Sequence, residues 1–202
     1  HIQAEDWNNF IKDENTILSA LKDSGFYFAE VETQIESNDN NTVNINYIFD
    51  TGDRAKIKKI KFIGNKVFKD SKLRNLIISE EAKPWKFITT NVYLDPNRIK
   101  TDKNLLINYF KNNGYYNVKI NTSSAKVIDD NYFELIFNID SGIKYFFNDL
   151  NLKVSEEFSQ ENFDQFLKIF DELKGKKYSL NSIKKIMEEI DKTALEKEFV
   201  FI

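Results

Sequence analysis

Residues suited to catalysis or metal binding are scarce in this sequence. His1 is the single histidine and the 202 residues include no cysteine, which excludes disulfides and thiolate metal sites and leaves zinc without its usual ligands. Adjacent carboxylates occur at Glu80-Glu81 and Asp129-Asp130, but such neighbours are typically solvated rather than arranged for acid–base chemistry. The six glycines lie far apart, so no glycine-rich loop is available for phosphate. We therefore expect a non-enzyme without cofactor or bound metal.

The composition favours a soluble protein with several small cores. Hydrophobic residues make up 41% of the chain and charged residues 30%, with both signs interspersed and a net charge of −3. Such a surface lacks the broad positive field of a nucleic-acid-binding protein. There is no run of about 18 apolar residues, so no transmembrane helix is predicted. Because the sequence starts without Met and without a leader-like segment, we expect it to be a piece of a longer protein.

A sequence repeat organises the chain. Gly25-Phe26-Tyr27 returns 89 residues later as Gly114-Tyr115-Tyr116. Each copy is followed by two alternating runs, which end 90 residues apart at Asp50-Thr51-Gly52 and Asp140-Ser141-Gly142. We attribute the one-residue difference to a shorter turn in the first hairpin. Repetition at this period is typical of tandem modules, which are usually scaffolds rather than catalysts.

The middle of the chain contains one complete repeat, which begins with a strand and a helix. Lys58–Ile63 alternates as a half-buried strand does, and Gly64-Asn65 predicts a turn after it. Asp70 or Ser71 offers a cap for the first helix. Its apolar stripe comprises Leu73, Leu76 and Ile77.

A second helix and two strands complete this repeat. Asp95 supplies a cap with Pro96 in the first turn, and Gly114 ends the helix in the left-handed conformation. The last strand has apolar residues at alternate positions, namely Phe133, Leu135, Phe137 and Ile139. The predicted order is therefore strand, helix, helix, strand, strand.

Partial repeats flank the complete one. The first comprises a helix over Asp13–Ser24 and a hairpin. The last comprises a strand with Leu150 and Leu152, a helix capped by Ser159, and a second helix, with Tyr178 in the place of Tyr93. Its helices have apolar stripes at Phe163, Phe166, Leu167 and Phe170, and at Ile183, Ile186 and Ile190. We predict a partial module over 1–55, a complete one over 56–144 and a partial one over 145–202.

Several segments together resemble the POTRA domains of BamA-type outer-membrane protein assembly factors. They are Phe62-Ile63-Gly64-Asn65-Lys66-Val67-Phe68, Lys83-Pro84-Trp85, Tyr109–Tyr115 and the terminal Asp-x-Gly of each unit. The resemblance implies an α+β fold of tandem POTRA modules, each β-α-α-β-β, with two helices packed on a three-stranded mixed sheet. It also implies that the chain contains the second half of the second POTRA domain, the complete third domain and the first half of the fourth.

The resemblance implies a role in outer-membrane protein assembly. The segment would lie at the periplasmic face of the outer membrane, ahead of a C-terminal membrane β-barrel of the same chain. Its modules would receive unfolded outer-membrane proteins and dock assembly lipoproteins. The implied contact is β-augmentation, in which a client strand pairs with an exposed sheet edge.

The residues of the complete module indicate where such a contact would form. We place the final strand at the sheet centre and the penultimate strand at an edge that is largely polar and free of proline. The predicted protein-binding residues are Tyr116, Asn117, Val118, Lys119, Ile120, Asn121, Thr122, Ser123 and Ser124. The alternative is a protected edge without a partner, because Lys119 and Lys126 are of the type that blunts edges.

Trp85 has two interpretations. It is a candidate partner anchor, since tryptophan is enriched in binding hot spots. The alternative is that the ring packs over its own module.

Two other functions are weighed against the assembly role. A polypeptide translocation or secretion transporter of the same superfamily would share this architecture. An RNA-binding KH-like module would need a Gly-x-x-Gly loop between its helices and a basic groove, and neither is visible. We therefore expect neither nucleic acid nor a small-molecule substrate as partner.

Overall fold

The structure is a computed structural model, and it describes residues 4–39, 42–64, 67–86, 88–129, 131–156 and 159–198. Among the residues named above, His1, Asn65 and Lys66 of the predicted turn and motif, and Asp130 lie outside these ranges. The side chains of residues 4–7, 122–126, 129, 197 and 198 are also outside the description, although the backbone there is assigned to helices or a strand.

The chain divides into two compact units, each described by itself below. The first comprises His1–Ile63, Lys69–Lys103 and Thr122–Phe137, and the second comprises Gly64–Phe68, Asn104–Asn121 and Asn138–Ile202. These limits differ from the module limits expected from the repeat, which stay a prediction.

The order of helices and strands follows the repeat. The elements are α1 (Ala4–Asp23), β1 (Glu30–Ser37), β2 (Val43–Asp50), β3 (Lys56–Ile63), α2 (Asp70–Arg74), α3 (Pro96–Lys111), β4 (Lys119–Asp129), β5 (Tyr132–Asp140), a 3-10 turn (Gln160–Phe163), α4 (Asp164–Leu173) and α5 (Leu180–Glu198). From β3 to β5 the order is β-α-α-β-β, and the α+β class with a mixed sheet is confirmed.

The strands form two sheets. β1 and β2 pair antiparallel, from Glu30 opposite Asp50 to Ser37 opposite Val43. The other sheet has the order β3-β5-β4, so the last strand is central and the penultimate strand lies at an edge, as predicted.

The prediction of a shorter first turn was wrong. Residues 38–42 connect β1 and β2, whereas only residues 130 and 131 separate β4 from β5. The extra residue of the second copy is therefore absorbed by longer strands, since β4 has 11 residues and β1 has 8.

Equivalent strands of the two copies differ in burial. β5 has β3 and β4 as neighbours, whereas β2 pairs with β1 alone among the described strands. The exposed fractions are 47%, 40% and 53% for Val43, Ile45 and Phe49, against 5%, 1% and 1% for Phe133, Leu135 and Ile139. The same apolar pattern thus forms a core in the complete repeat and an exposed surface in the first partial one.

The limits of α3 follow its capping residues. The Asp95 Oδ1 atom accepts hydrogen bonds from the backbone N–H groups of Asn97 and Arg98, at 2.9 and 3.1 Å. At the other end, Gly114 has a φ of +100°. Both predictions for this helix are confirmed, because both depend on signals within one helical turn.

Two other helices differ from prediction. α1 begins at Ala4 rather than Asp13. The Asp13 carboxylate accepts a hydrogen bond from the Tyr47 hydroxyl at 2.7 Å. α2 ends at Arg74, so Leu76 and Ile77 lie beyond it, and its cap residue is Lys69 rather than Asp70 or Ser71. After α2, the chain is held in a non-helical conformation by a buried carboxylate described below.

The last partial repeat forms a small core inside the second unit. Phe163, Phe166 and Phe170 are buried together, and Ile186 and Ile190 of α5 pack against them, as predicted. Leu167 is an exception, because 48% of it is exposed. The expected strand at Leu150 and Leu152 is not assigned as one; both residues pack against the phenylalanine core instead. Ser159 makes no side-chain cap bond and precedes the 3-10 turn.

The two connections between repeats use the same backbone hydrogen bonds. In the first unit, the Ala55 N–H donates to Gly25 O at 2.9 Å, and the Leu94 N–H donates to Ala55 O at 2.8 Å. In the second unit, the Tyr145 N–H donates to Gly114 O at 2.8 Å, and the Tyr178 N–H donates to Tyr145 O at 2.9 Å.

This correspondence corrects one residue match. Tyr178 takes the place of Leu94, not of Tyr93. The bridges of Lys56 with Tyr93 and of Phe146 with Lys177 show that the counterpart of Tyr93 is Lys177.

Candidate functional site

The open edge of the three-stranded sheet is β4. Among the described strands, β4 has β5 as its one neighbour. Of the nine predicted site residues, β4 contains Lys119, Ile120, Asn121, Thr122, Ser123 and Ser124. Lys119 and Asn121 are exposed, whereas Ile120 is buried. The outward-facing backbone groups of an edge strand are available to an incoming extended chain.

The other three predicted site residues are not part of this strand. Val118 is buried, and its N–H donates to Tyr115 O at 3.3 Å in the turn that follows α3. The Asn117 amide nitrogen donates to the Tyr145 hydroxyl at 2.8 Å. The predicted edge therefore begins three residues too early, because the turn after Gly114 continues to Val118.

Tyr116 belongs to an aromatic cluster in the second unit. Its ring centroid lies 6.1 Å from that of Tyr145 and 5.2 Å from that of Tyr178, with edge-to-face geometry. Burial raises the pKa of the Tyr178 phenol, and neighbouring Tyr116 adds to that shift. The Tyr178 hydroxyl is therefore neutral at physiological pH. The ring contacts of Tyr116 place it in this cluster rather than on the free strand edge.

The opposite edge of the sheet, β3, is occupied by the chain itself. The Ile57 N–H donates to Val92 O at 2.7 Å, and the Ala82 N–H donates to Ile57 O at 2.7 Å. The segments on either side of Trp85 thus pair with the outer side of β3 near its start.

Further along β3, two side chains replace the backbone of a neighbouring strand. The Ile60 N–H donates to Glu81 Oε1 at 3.0 Å, and the Arg74 Nη2 group donates to Ile60 O at 2.9 Å. The Arg74 Nε atom lies 3.5 Å from the same Glu81 oxygen. We call Arg74 and Glu81 the edge clip, because together they satisfy both backbone groups of Ile60.

The edge clip was missed by the sequence analysis, which interpreted Glu80-Glu81 as a solvated pair. In the structure the two carboxylates diverge, and Glu80 pairs with the Lys86 ammonium. One signal was available in the sequence: two consecutive lysines, Lys58 and Lys59, separate the apolar residues Ile57 and Ile60. The structure shows both lysines exposed and both isoleucines buried. This break in alternation is typical of a bulge, which changes the direction of the following backbone groups.

A buried carboxylate determines the path of the chain after α2. Asp102 is fully buried in α3, and its Oδ1 atom accepts a hydrogen bond from the Ile78 N–H at 2.6 Å. Its Oδ2 atom accepts from the Ser79 N–H at 3.2 Å. Asp102 was also missed, although its spacing from Ile99 and Leu106 places it on the apolar side of α3.

Trp85 is strongly exposed. Its exposed fraction is 70%, and the Lys83 ammonium lies 5.7 Å from the ring centroid. The ring therefore does not pack over its own module, and its role as a partner anchor stays a prediction.

The described residues contain no group of three or more histidine, cysteine or carboxylate side chains that could hold a metal ion. In the same part of the chain, no helix has the length and apolar character needed to cross a bilayer. A sheet with β4 as an open edge on one side and β3 as a closed edge on the other is suited to binding an extended polypeptide at β4.

Comparisons with known proteins agree with this architecture. The POTRA family profile, described as a surface antigen variable number repeat, matches residues 7–52 and 55–142. The crystal structure of Haemophilus influenzae BamA POTRA3-5 has a TM-score of 0.54 at 17% identity, and the match covers 91% of this chain and 69% of that chain. That likeness concerns the fold.

Several curated relatives carry the name outer membrane protein assembly factor BamA, including the following two. The protein of Buchnera aphidicola subsp. Acyrthosiphon pisum is 24% identical over 172 residues, covering 83% of this chain and 26% of the relative. The protein of Neisseria meningitidis serogroup B is 29% identical over 90 residues, covering 45% of this chain and 11% of the relative. The chain thus spans about a quarter or less of their length. Because the POTRA profile matches well over half of the chain, the chain belongs to the POTRA family, in which it is a segment of the BamA type.

Proposed function

We propose that this chain is a non-catalytic scaffold at the periplasmic face of the outer membrane, where it receives unfolded outer-membrane β-barrel proteins. The incoming chain pairs with β4 by β-augmentation. The relatives' name as outer membrane protein assembly factors supports this role, and so does the edge position of β4. Accessory lipoproteins belong to the same proposal as partners that dock on these modules.

The single observation that carries the proposal is the asymmetry of the sheet. Backbone and side-chain groups occupy the β3 edge at Ile57 and Ile60, whereas β4 has a single neighbour among the described strands. A strand that arrives at this sheet therefore finds its open donors and acceptors along β4.

Main-chain pairing suits a receptor of many clients. It recognises an extended backbone rather than a sequence, and each hydrogen bond contributes only about 0.5–1.5 kcal/mol net. A short added strand therefore binds weakly and leaves again, as transfer to a membrane requires.

Proline substitutions in β4 test the proposal. Successive N–H groups of a strand point to opposite sides. Of the two variants Asn121→Pro and Thr122→Pro, one therefore removes an N–H group on the open side of β4, and the other removes an N–H group on the side of β5. The probe is a fluorescently labelled peptide that resembles one strand of a membrane β-barrel. It has about ten residues that alternate between apolar and polar. We expect one proline variant to keep the fold, shown by far-UV circular dichroism, and to lose peptide binding measured by fluorescence anisotropy.

Asn121→Ala is the matched control, because it removes the same side chain but keeps the N–H group. We expect it to bind the peptide as the parent chain does. If the folded proline variant binds as well as Asn121→Ala, β4 is a protected edge without a partner and the proposal is wrong.

A further inference from the structure

A basic and aromatic surface lies beside the exposed loop that carries Trp85. Two adjoining cavities of about 470 and about 340 Å³ form this surface inside the first unit. Both cavities are lined by Lys56, Tyr93 and Tyr132. We call this surface the basic face; its cations are Arg54, Lys56, Lys83 and Lys86.

Positive charge predominates in the basic face. Its four cations stand against one carboxylate among the residues that line the two cavities, Asp53. Outside the cavity lining, the Glu80 carboxylate forms an ion pair with the Lys86 ammonium. The whole chain has a net charge of −3, so this local excess is opposite in sign to the molecule as a whole. The ligand expected here is an anion.

Arg54 is held in a fixed position with an unused donor. Its guanidinium carbon lies 4.4 Å from the centroid of the Tyr93 ring and 6.0 Å from that of Phe26. Its Nε atom is buried and has no hydrogen-bond partner among the described residues. The two rings thus hold the guanidinium charge in a defined place, and arginine is suited to phosphate recognition. The buried Nε atom itself is not open to a ligand.

The loop next to the basic face exposes large apolar side chains. Trp85 is 70% exposed and Ile88 is 87% exposed, with Lys83 and Lys86 on either side of Trp85 in sequence. Tryptophan favours the boundary between hydrocarbon and headgroups, and nearby lysines interact with headgroup phosphates. A free phosphate ion would account for the cations alone, whereas a lipid surface accounts for the cations, Trp85 and Ile88 together.

We propose that the basic face, with Trp85 and Ile88, binds a membrane surface that carries anionic phospholipid headgroups. The cations contact the phosphates, and the two apolar side chains enter the interfacial layer. This role is separate from the proposed client binding, because it uses no open sheet edge and needs no client for its test.

Co-sedimentation with vesicles tests the inference. The parent chain is mixed with large vesicles of phosphatidylcholine, with and without phosphatidylglycerol. We expect binding only to the vesicles with phosphatidylglycerol, and weaker binding as salt concentration rises. Each lysine near an anionic surface contributes about a five-fold gain in partitioning, so Lys56→Gln with Lys83→Gln predicts a loss of roughly 25-fold. We expect the double variant Trp85→Ser with Ile88→Ser to bind the phosphatidylglycerol vesicles more weakly as well.

Control variants make the same changes on α5. Lys184→Gln with Lys185→Gln removes two exposed lysines, and Met187→Ser with Leu195→Ser removes two exposed apolar side chains. We expect both to bind like the parent chain. Far-UV circular dichroism and thermal melts establish that each variant is folded. The changed side chains are exposed, except for the half-buried Lys56.

Tryptophan fluorescence separates membrane insertion from contact with phosphate alone. We expect a blue shift on addition of phosphatidylglycerol vesicles that disappears in Trp85→Phe, in which Trp7 is the remaining tryptophan. Three results would overturn the inference: no binding to the anionic vesicles, equal losses in the α5 controls, or unchanged binding in Trp85→Ser with Ile88→Ser. A soluble acidic peptide that binds the basic face more tightly than the vesicles would identify a protein partner instead.

Discussion

At the residue scale, Gly114 is a position at which the fold allows little variation. It has a φ of +100°, which side chains with a Cβ rarely adopt. A Cβ at this position would lie 2.8 Å from Lys144 Cγ and 3.2 Å from Tyr145 O. The backbone conformation and the lack of space therefore both require glycine.

Gly114→Val is expected to destabilise the second unit by more than about 1–2 kcal/mol, the cost of left-handed backbone alone. Urea unfolding measures the loss. Gly175→Val is the matched control. Gly175 also has a positive φ, +77°, but a Cβ at this position would have no other atom within 4 Å. We expect the larger loss at Gly114. Equal losses would mean that Lys144 and Tyr145 do not restrict this position, and an unchanged Gly114→Val would remove the helix-end assignment.

Local signals made some residues predictable from sequence, and long-range partners made others unpredictable. Asp95 and Gly114 were assigned correctly, because a cap bonds to its own helical turn. Asp102 and Glu81 were not, because their partners are backbone N–H groups of Ile78, Ser79 and Ile60, more than 20 residues away. The position of Asp102 on the apolar side of α3 indicates burial, but no sequence pattern identifies the distant amides that such a carboxylate binds.

At the scale of elements, the edge clip explains why β3 and β4 differ although both lie at sheet edges. Without Glu81, the Ile60 N–H would lose its acceptor. An unpaired, partly buried donor costs about 1–3 kcal/mol and leaves a strand edge open to other chains.

Glu81→Ala is expected to lower the free energy of unfolding by about 1–3 kcal/mol and to increase self-association. Urea unfolding and analytical ultracentrifugation measure the two effects. Glu80→Ala is the control, because the Glu80 carboxylate pairs with Lys86 near the surface and holds no strand backbone group among the described residues. We expect a change below about 1 kcal/mol there and no self-association. Identical behaviour of both variants would show that the clip does not protect β3.

Element order was predictable from periodicity, whereas element length was not. The alternation of Phe133, Leu135 and Ile139 identified β5 and its burial. Nothing local indicated that α2 would end at Arg74, since the apolar spacing of Leu76 and Ile77 continues the helical pattern. Asp102 supplies the competing hydrogen bonds that end it. The Leu150 and Leu152 segment likewise has a strand pattern but no pairing strand among the described residues.

At the scale of the whole molecule, the repeat extends from sequence to hydrogen bonds. The connection at Gly25 and Ala55 in the first unit has the same donors and acceptors as the connection at Gly114 and Tyr145 in the second. Such reuse is expected of tandem modules, in which each connection is built from neighbouring repeats. The family could be inferred from this order and spacing. The edge position of β4 could also be inferred. The closed edge of β3 could not, because it depends on contacts that only the folded chain displays.

The central claim is that an incoming extended chain pairs with β4. NMR-detected amide hydrogen exchange, with and without the barrel-strand peptide, tests it residue by residue. We predict new protection at alternate amides of Lys119–Asp129 and no change at Ile57 and Ile60, which are already bonded. Protection confined to β3 or to β2, with β4 unaffected, would contradict the account.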